Sequence, residues 1–219
     1  MTEPGEVSRP AGRPAGADGV PPMVQAGHGL VTAAAGRGVA VRLLGGVAIW
    51  IRSSAEARAA LGRAYPDVDL VANQRQSRDL RAVLEEQGLE PERMFNATHG
   101  ARQLQVADVN RKDLSDVAML LWDHEPGDGD GPGRVNLTRM AKVCGEDWGL
   151  YTTVTGNLAA CANLLGELVA DAGARARIAG RIGAITGALE SAPKTISWRM
   201  RARVGRRVRW YEVPEEVVR

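Results

Sequence analysis

Val41-Arg42-Leu43-Leu44-Gly45-Gly46-Val47-Ala48, answered downstream by Pro66-Asp67-Val68-Asp69-Leu70-Val71, decides how this chain is read. An apolar strand runs into a Gly-Gly turn and then into a short helix. A second strand carries two aspartates two residues apart. Residues i and i+2 of a strand point to the same face, so Asp67 and Asp69 stand side by side while Val68 and Leu70 turn to the other. Carboxylates held this close repel each other, and a divalent cation relieves the repulsion. Gly45 and Gly46 let the backbone approach a phosphate, with N–H groups facing it at a helix N-terminus. Together the two pieces imply a site for a metal-bound nucleoside triphosphate.

Working outward, residues 1–22 are rich in Gly, Pro, Ala and Glu with almost no apolar anchor, and read as a disordered tail. A helix is expected over Met23 to Arg37, then a first strand over Val39 to Leu44. Val47 to Arg52 starts a helix, and Ser53 or Ser54 caps another over Ala55 to Ala64. Pro66 introduces the Asp strand. Ser77 caps a helix over Arg78 to Gln87, in which Leu80, Val83 and Leu84 share a face. Arg93 to Gly100 reads as a third, shorter strand and turn. The alternation of strands and helices points to an α/β domain.

From Val106 the pattern is helical. Leu114, Val117, Ala118 and Leu121 stripe a helix over Lys112 to His124, and Glu125 to Gly133 is a Gly/Asp/Pro loop. Asn136 caps a helix over Leu137 to Cys144. A longer helix covers Asp147 to about Ala172. Another covers Arg175 to Leu189, weakened by Gly180, Gly183 and Gly187. Ser191 followed by Pro193 opens a last helix with a Met200/Val204/Val208 stripe. The expected organisation is a tail over 1–22, an α/β domain over 23–106 and a helical domain over 107–219.

Composition narrows the function classes. With 28 basic and 26 acidic residues the chain is close to neutral, so overall charge does not imply nucleic acid. Cys144 and Cys161 match no zinc spacing and read as free thiols of a reducing cytosol. No apolar run is long enough to span a bilayer and no signal peptide is visible, so a cytoplasmic protein with no membrane partner is expected.

Leu43-Leu44-Gly45-Gly46-Val47-Ala48 followed by Asp67-Val68-Asp69 resembles the polymerase-β-like nucleotidyltransferase superfamily. A closer resemblance is to uncharacterised bacterial nucleotidyltransferase-like proteins related to AbiEii-type toxins of type IV toxin–antitoxin systems. It extends through Phe95-Asn96-Ala97-Thr98-His99-Gly100, Arg111-Lys112-Asp113-Leu114-Ser115-Asp116-Val117, Val135-Asn136-Leu137 and Glu146-Asp147-Trp148-Gly149-Leu150-Tyr151, covering roughly residues 39–168. The resemblance implies a fold of the class α/β followed by α: a small nucleotidyltransferase-like mixed sheet with a C-terminal helical domain. It implies transfer of a nucleoside monophosphate from a nucleoside triphosphate to a hydroxyl of tRNA, another RNA or a protein, with Mg²⁺ as cofactor and an antitoxin protein as partner. Asp67 and Asp69 take the catalytic and metal-binding roles and Gly45 and Gly46 the nucleotide-binding ones; Arg75, by its place after the Asp strand, is the further nucleotide-binding candidate, able to reach phosphates or to stay solvated.

The sequence departs from that family in one place. Members carry a further strand with a third acidic residue, whereas Gly100-Ala101-Arg102-Gln103-Leu104-Gln105-Val106 joins the flanking regions almost directly, as after an internal deletion. A third carboxylate would activate the acceptor or hold a second metal. The competing expectation is therefore a truncated, non-catalytic relative that binds RNA or protein.

Several residues invite a role that simpler physics also explains. Asp108, Asp113 and Asp116 are replacements for the third carboxylate, or ordinary acidic residues near a helix N-terminus. Arg78 could reach phosphates or be solvated. His99 could touch a nucleotide or cap a turn, and His28 and His124 have no visible partners. Trp148 and Tyr151 could stack on a base, or pack between helices. Arg199, Arg201, Arg203, Arg206, Arg207 and Arg209 make the last helix basic, as an RNA surface or as a solvated face.

Overall fold

The structure is a computed structural model that describes residues 19–89 and 109–211. The Arg93–Gly100 strand, the Gly100–Val106 junction, Asp108 and His99 lie outside the described residues. What is described is mostly helical, with two small two-stranded sheets, and divides into two compact units. The first comprises residues 1–51 and 63–90, the second residues 52–62 and 91–219. The division is not the contiguous one expected: residues 52–62 leave the first unit, join the second, and the chain then returns.

In the first unit, α1 (Pro22–Gly36) opens on a proline at its first position, where the missing N–H costs nothing. Strand β1 (Val41–Leu44) runs into α2 (Gly45–Arg52) with no intervening loop. Strand β2 (Asp69–Ala72) lies antiparallel to β1, pairing Val41 with Ala72, Arg42 with Val71, Leu43 with Leu70 and Leu44 with Asp69. A β-helix-β run is ordinarily a parallel crossover. Here the chain reverses direction between the strands, and the ladder is a long-range hairpin.

Its two faces differ. Val41, Leu43, Leu70 and Ala72 are half-buried, whereas Arg42, Leu44, Asp69 and Val71 are exposed. The inner face meets α1. Val24, Val47 and Tyr65 form one buried cluster, joined by Met23, Leu43, Trp50 and Val68. Ala34, Val39 and Val83 form another, with Val41 and with Leu80 of α4 (Ser77–Glu86). Gly27 permits the close approach: a Cβ there would sit 3.0 Å from Leu43, 3.2 Å from Val47 and 3.3 Å from Val68.

The second unit is a helical bundle. Helix α3 (Ala55–Leu61) belongs to it and packs on α5 (Arg111–Asp123). Asp123 accepts from the Ser54 N–H at 2.7 Å, and the Ser115 hydroxyl donates to the Leu61 carbonyl at 3.3 Å. Strands β3 (Glu125–Gly127) and β4 (Arg134–Asn136) close a six-residue loop as a three-residue parallel ladder. Helices α6 (Leu137–Glu146), α7 (Trp148–Leu168) and α8 (Ala172–Ser191) complete the bundle with α5. Its core is Leu114, Met119, Leu121, Cys144, Leu158, Cys161, Leu165, Ile178, Ile182, Ile185 and Leu189.

The last helix, α9 (Ile196–Val204), does not open at Ser191 as the sequence suggests. Thr195 caps it, accepting from the Trp198 N–H at 3.2 Å. Ser191 instead ends α8, its hydroxyl donating to the Gly187 carbonyl at 2.8 Å.

Candidate functional site

The hairpin register builds the site. Leu44 is the last residue of β1 and faces Asp69, the first of β2. The Gly45–Gly46 turn and the aspartate pair thus share one end of the ladder, though 24 residues separate Gly45 from Asp69 in sequence. Gly45 has φ of 62°, in the left-handed region that glycine alone enters without strain. A Cβ on Gly45 would also collide with the Asp69 carboxylate oxygen. Backbone and carboxylate approach this closely only because position 45 has no side chain.

Gly46 faces a different neighbour. A Cβ there would lie 2.5 Å from the Arg63 guanidinium and 2.9 Å from the Tyr65 ring. Arg63 itself sits over that ring, 4.7 Å from its centroid, and donates to the Ala64 carbonyl at 2.9 Å. Tyr65 is buried in the cluster beneath α2, so the guanidinium lies beside the turn over a ring packed into the core. Sequence reasoning missed Arg63 because it expected helix α3 to continue to Ala64. The helix stops at Leu61 and Gly62 follows in extended conformation.

Asp69 is exposed, and its carboxyl is held above the ordinary carboxylate range, first by partial burial and then by the negative charge of Asp67. Asp67 lies two residues before β2 rather than within it. Between them Val68 packs into the core, which keeps both carboxylates on the outer side. Two like charges in mutual repulsion at a backbone turn are a donor set that suits a hard divalent cation with oxygen ligands. No cluster of three His, Cys, Asp or Glu side chains occurs among the described residues.

Arg75 is placed elsewhere. It lies on a short 3₁₀ turn, Gln74–Gln76, beyond the Val41/Ala72 end of the ladder. At roughly 3.3 Å per residue the four-residue ladder separates that end from Gly45 by about 10 Å. Arg75 is exposed there, with its N–H donating to Asn73 Oδ1 at 3.0 Å. The structure therefore gathers Gly45, Gly46, Asp67 and Asp69, adds Arg63, and leaves Arg75 apart.

Asp113, His124, Trp148 and Tyr151 have structural roles. Asp113 closes a capping box with Asn110, accepting from its N–H at 3.0 Å. Asp116 is buried within the second unit. His124 is buried, with Nδ1 3.0 Å from the Leu120 carbonyl. Trp148 packs edge-on to Trp210 with centroids 5.5 Å apart, and Tyr151 to Trp198 at 5.3 Å. A groove of about 670 Å³ between α6 and the end of α8, lined by Leu137, Lys142, Gly145 and Ala188, contains none of the expected site residues.

Comparison of the chain with protein families, with characterised proteins and with solved structures finds no match to any of them. No helix among the described residues is long and apolar enough to cross a membrane.

Proposed function

We propose that the first unit binds a metal-complexed nucleoside triphosphate at the Gly45–Gly46 end of the β1–β2 hairpin. There it transfers the nucleoside monophosphate to a hydroxyl of an RNA or protein acceptor, as a cytoplasmic nucleotidyltransferase-like protein of the toxin kind. The observation that carries this reading is the Leu44–Asp69 pairing, which sets a glycine turn against a carboxylate pair. In this reading the N–H groups opening α2 face the phosphates at the positive end of the helix. Arg63, fixed over Tyr65, offers a planar donor to a phosphate oxygen from beside Gly46. Asp67 and Asp69 would hold Mg²⁺, which, when bound, offsets charge on the phosphates. The close fit of Gly45 to Asp69 positions that carboxylate from the backbone side.

A second reading has an observation in its favour. The described residues supply two acidic side chains at this end of the hairpin and no cluster of three. A site with two carboxylates is able to bind a metal nucleotide yet activates an acceptor poorly. The chain would then be a nucleotide-, RNA- or protein-binding module.

One experiment separates the two. The full chain is incubated with radiolabelled nucleoside triphosphates, Mg²⁺ and total RNA. Label transferred to RNA or to protein, and lost in Asp67→Ala and Asp69→Ala, supports the enzyme. Saturable, Mg²⁺-dependent nucleotide binding without transfer supports the module. Neither binding nor transfer at millimolar nucleotide sinks the enzyme and the nucleotide-binding module alike.

A further inference from the structure

The second unit carries a surface that the nucleotide reading does not use. On α9, Ile196 is 78% exposed, Met200 56% and Val204 42%, at positions i, i+4 and i+8 of a single helix face. Val208, 56% exposed, follows just beyond it. An apolar row of this kind on the outside of a helix marks an interaction surface.

The inner side of α9 explains why the row stays outside. Trp198 is half-buried against Tyr151. The Arg201 guanidinium lies 4.6 Å from the Trp148 ring centroid and donates to the carbonyls of Gly205 at 2.7 Å and Val208 at 2.6 Å. Trp210 donates from Nε1 to the Thr153 hydroxyl at 3.0 Å. The helix is thus fixed by its aromatic side, with Ile196, Met200 and Val204 turned away.

Among the described residues, the charged side chains of α9 and the turn after it are all basic, with Glu190 at the end of α8 as the nearest acidic residue before them in sequence. Between Ser191 and Tyr211 the sequence holds Lys194 and six arginines and no carboxylate. Arg199, Arg203, Arg206, Arg207 and Arg209 are exposed, and none pairs with the carboxylate of a described residue. On a helical projection Arg199 and Arg203 fall along one edge of the apolar row.

We propose that this face of α9 docks on an anionic lipid surface, with Ile196, Met200 and Val204 entering the head-group boundary and the arginines meeting the phosphates. A second copy of the chain is disfavoured, because pairing the rows would bring like-charged arginines together with no carboxylate on α9 itself to separate them. A nucleic acid would neutralise the arginines but leave the apolar row against water and phosphate. A protein partner would need carboxylates and apolar side chains in register with a nine-residue helix. A bilayer requires no register, since head groups and acyl chains both adjust. Lying on a membrane in this way needs no spanning helix.

The test uses the full chain with sedimented vesicles, of phosphatidylcholine alone or with about a third phosphatidylglycerol, at low and high salt. Binding is expected only with the anionic lipid, and is weakened by salt. Arg203→Gln/Arg206→Gln/Arg207→Gln is expected to weaken it about a hundredfold. Ile196→Asp/Met200→Asp is expected to weaken it at least about tenfold. All five positions are exposed, and circular dichroism checks that the variants remain folded. Equal binding to both vesicle types, or to neither, overturns the proposal. So does tight binding of a twenty-nucleotide single-stranded RNA that depends on the arginines while the apolar substitutions leave it unchanged. None of these outcomes depends on whether nucleotide is transferred.

Discussion

Replacing Gly45 by alanine tests the geometry on which the site rests. The substitution adds one methyl group, with two separable consequences. A residue with a Cβ at φ of 62° carries about 1–2 kcal/mol of backbone strain. The new Cβ also meets the Asp69 carboxylate, which must swing to another rotamer at a cost of about 0.5–1.5 kcal/mol. The sum, about 2.5 kcal/mol, corresponds to roughly seventyfold faster amide exchange where exchange reports local opening. Hydrogen exchange read by mass spectrometry on peptides covering residues 41–52 and 65–72 measures it in the first unit alone. In an Asp69→Ala background the strain remains and the collision disappears, since the Asp69 Cβ lies 3.7 Å from the added methyl, an ordinary contact. The cost of Gly45→Ala is expected to fall there by about 1 kcal/mol, beyond the few tenths within which independent sites add. A cost below about 0.5 kcal/mol in the native background would refute the strained turn. An unchanged cost in the Asp69→Ala background would refute the contact between turn and carboxylate, and with it the proposed site.

Other outcomes follow from the same structure. Arg63→Gln is expected to weaken nucleotide binding about tenfold, the loss of one charge-assisted contact, while Arg75→Gln leaves binding unchanged; isothermal titration compares them. Lys194 donates to the carbonyls of Leu189 at 2.5 Å and Ala192 at 2.7 Å at the end of α8, so Lys194→Met is expected to destabilise the second unit by about 2 kcal/mol in urea unfolding. Burial pushes the Cys161 thiol from 9.0 up to about 11, so it stays neutral and unreactive toward a thiol reagent until the chain unfolds. The sign of its pH effect is set by the unfolded chain, which releases this proton near 9.0 while the folded one retains it. Its contribution to stability is complete below 9.0 and falls by about 1.4 kcal/mol per pH unit until about 11, a trend that Cys161→Ser should flatten in unfolding measured from pH 8 to 11.

Periodicity and turn chemistry made much of the architecture legible. The Gly-Gly stop after Leu44, the caps at Ser54 and Asn136 and the i, i+3, i+4 stripes are local signals, and each element they mark is present. Signals misled where one residue type serves two local uses. Ser77 was expected to cap α4, but Asn73 caps a 3₁₀ turn first, and α4 starts at Ser77 without a side-chain cap. Ser191 bonds backward into its own helix, leaving the cap to Thr195. Helix α8 runs unbroken through Gly180, Gly183 and Gly187 because Ile178, Ile182, Ile185 and Leu189 are buried along it, which outweighs glycine's poor helix propensity. At the site, i and i+2 alternation correctly turned Val68 inward. The glycine turn and the aspartate pair join into one site from the sequence alone, but nothing local could show that β2 returns antiparallel to β1, so the pairing of Leu44 with Asp69, the presence of Arg63 and the displacement of Arg75 all required the register. The antiparallel return comes from contacts far apart in sequence, which single-residue preferences do not encode.

The excursion of residues 52–62 out of the first unit constrains how the chain can be cut and made. Neither unit is a continuous segment. A fragment ending at Glu90 would carry α3 without α5, and one starting at Pro91 would lack α3 altogether. Isolating the first unit would require joining Ile51 to Arg63 directly. During synthesis, α3 emerges on the order of fifty residues before α5, so Ala57 and Leu61 wait in solvent for their buried places. The second unit can close only after most of the first has been made, which gives this chain an order of assembly written into its connectivity.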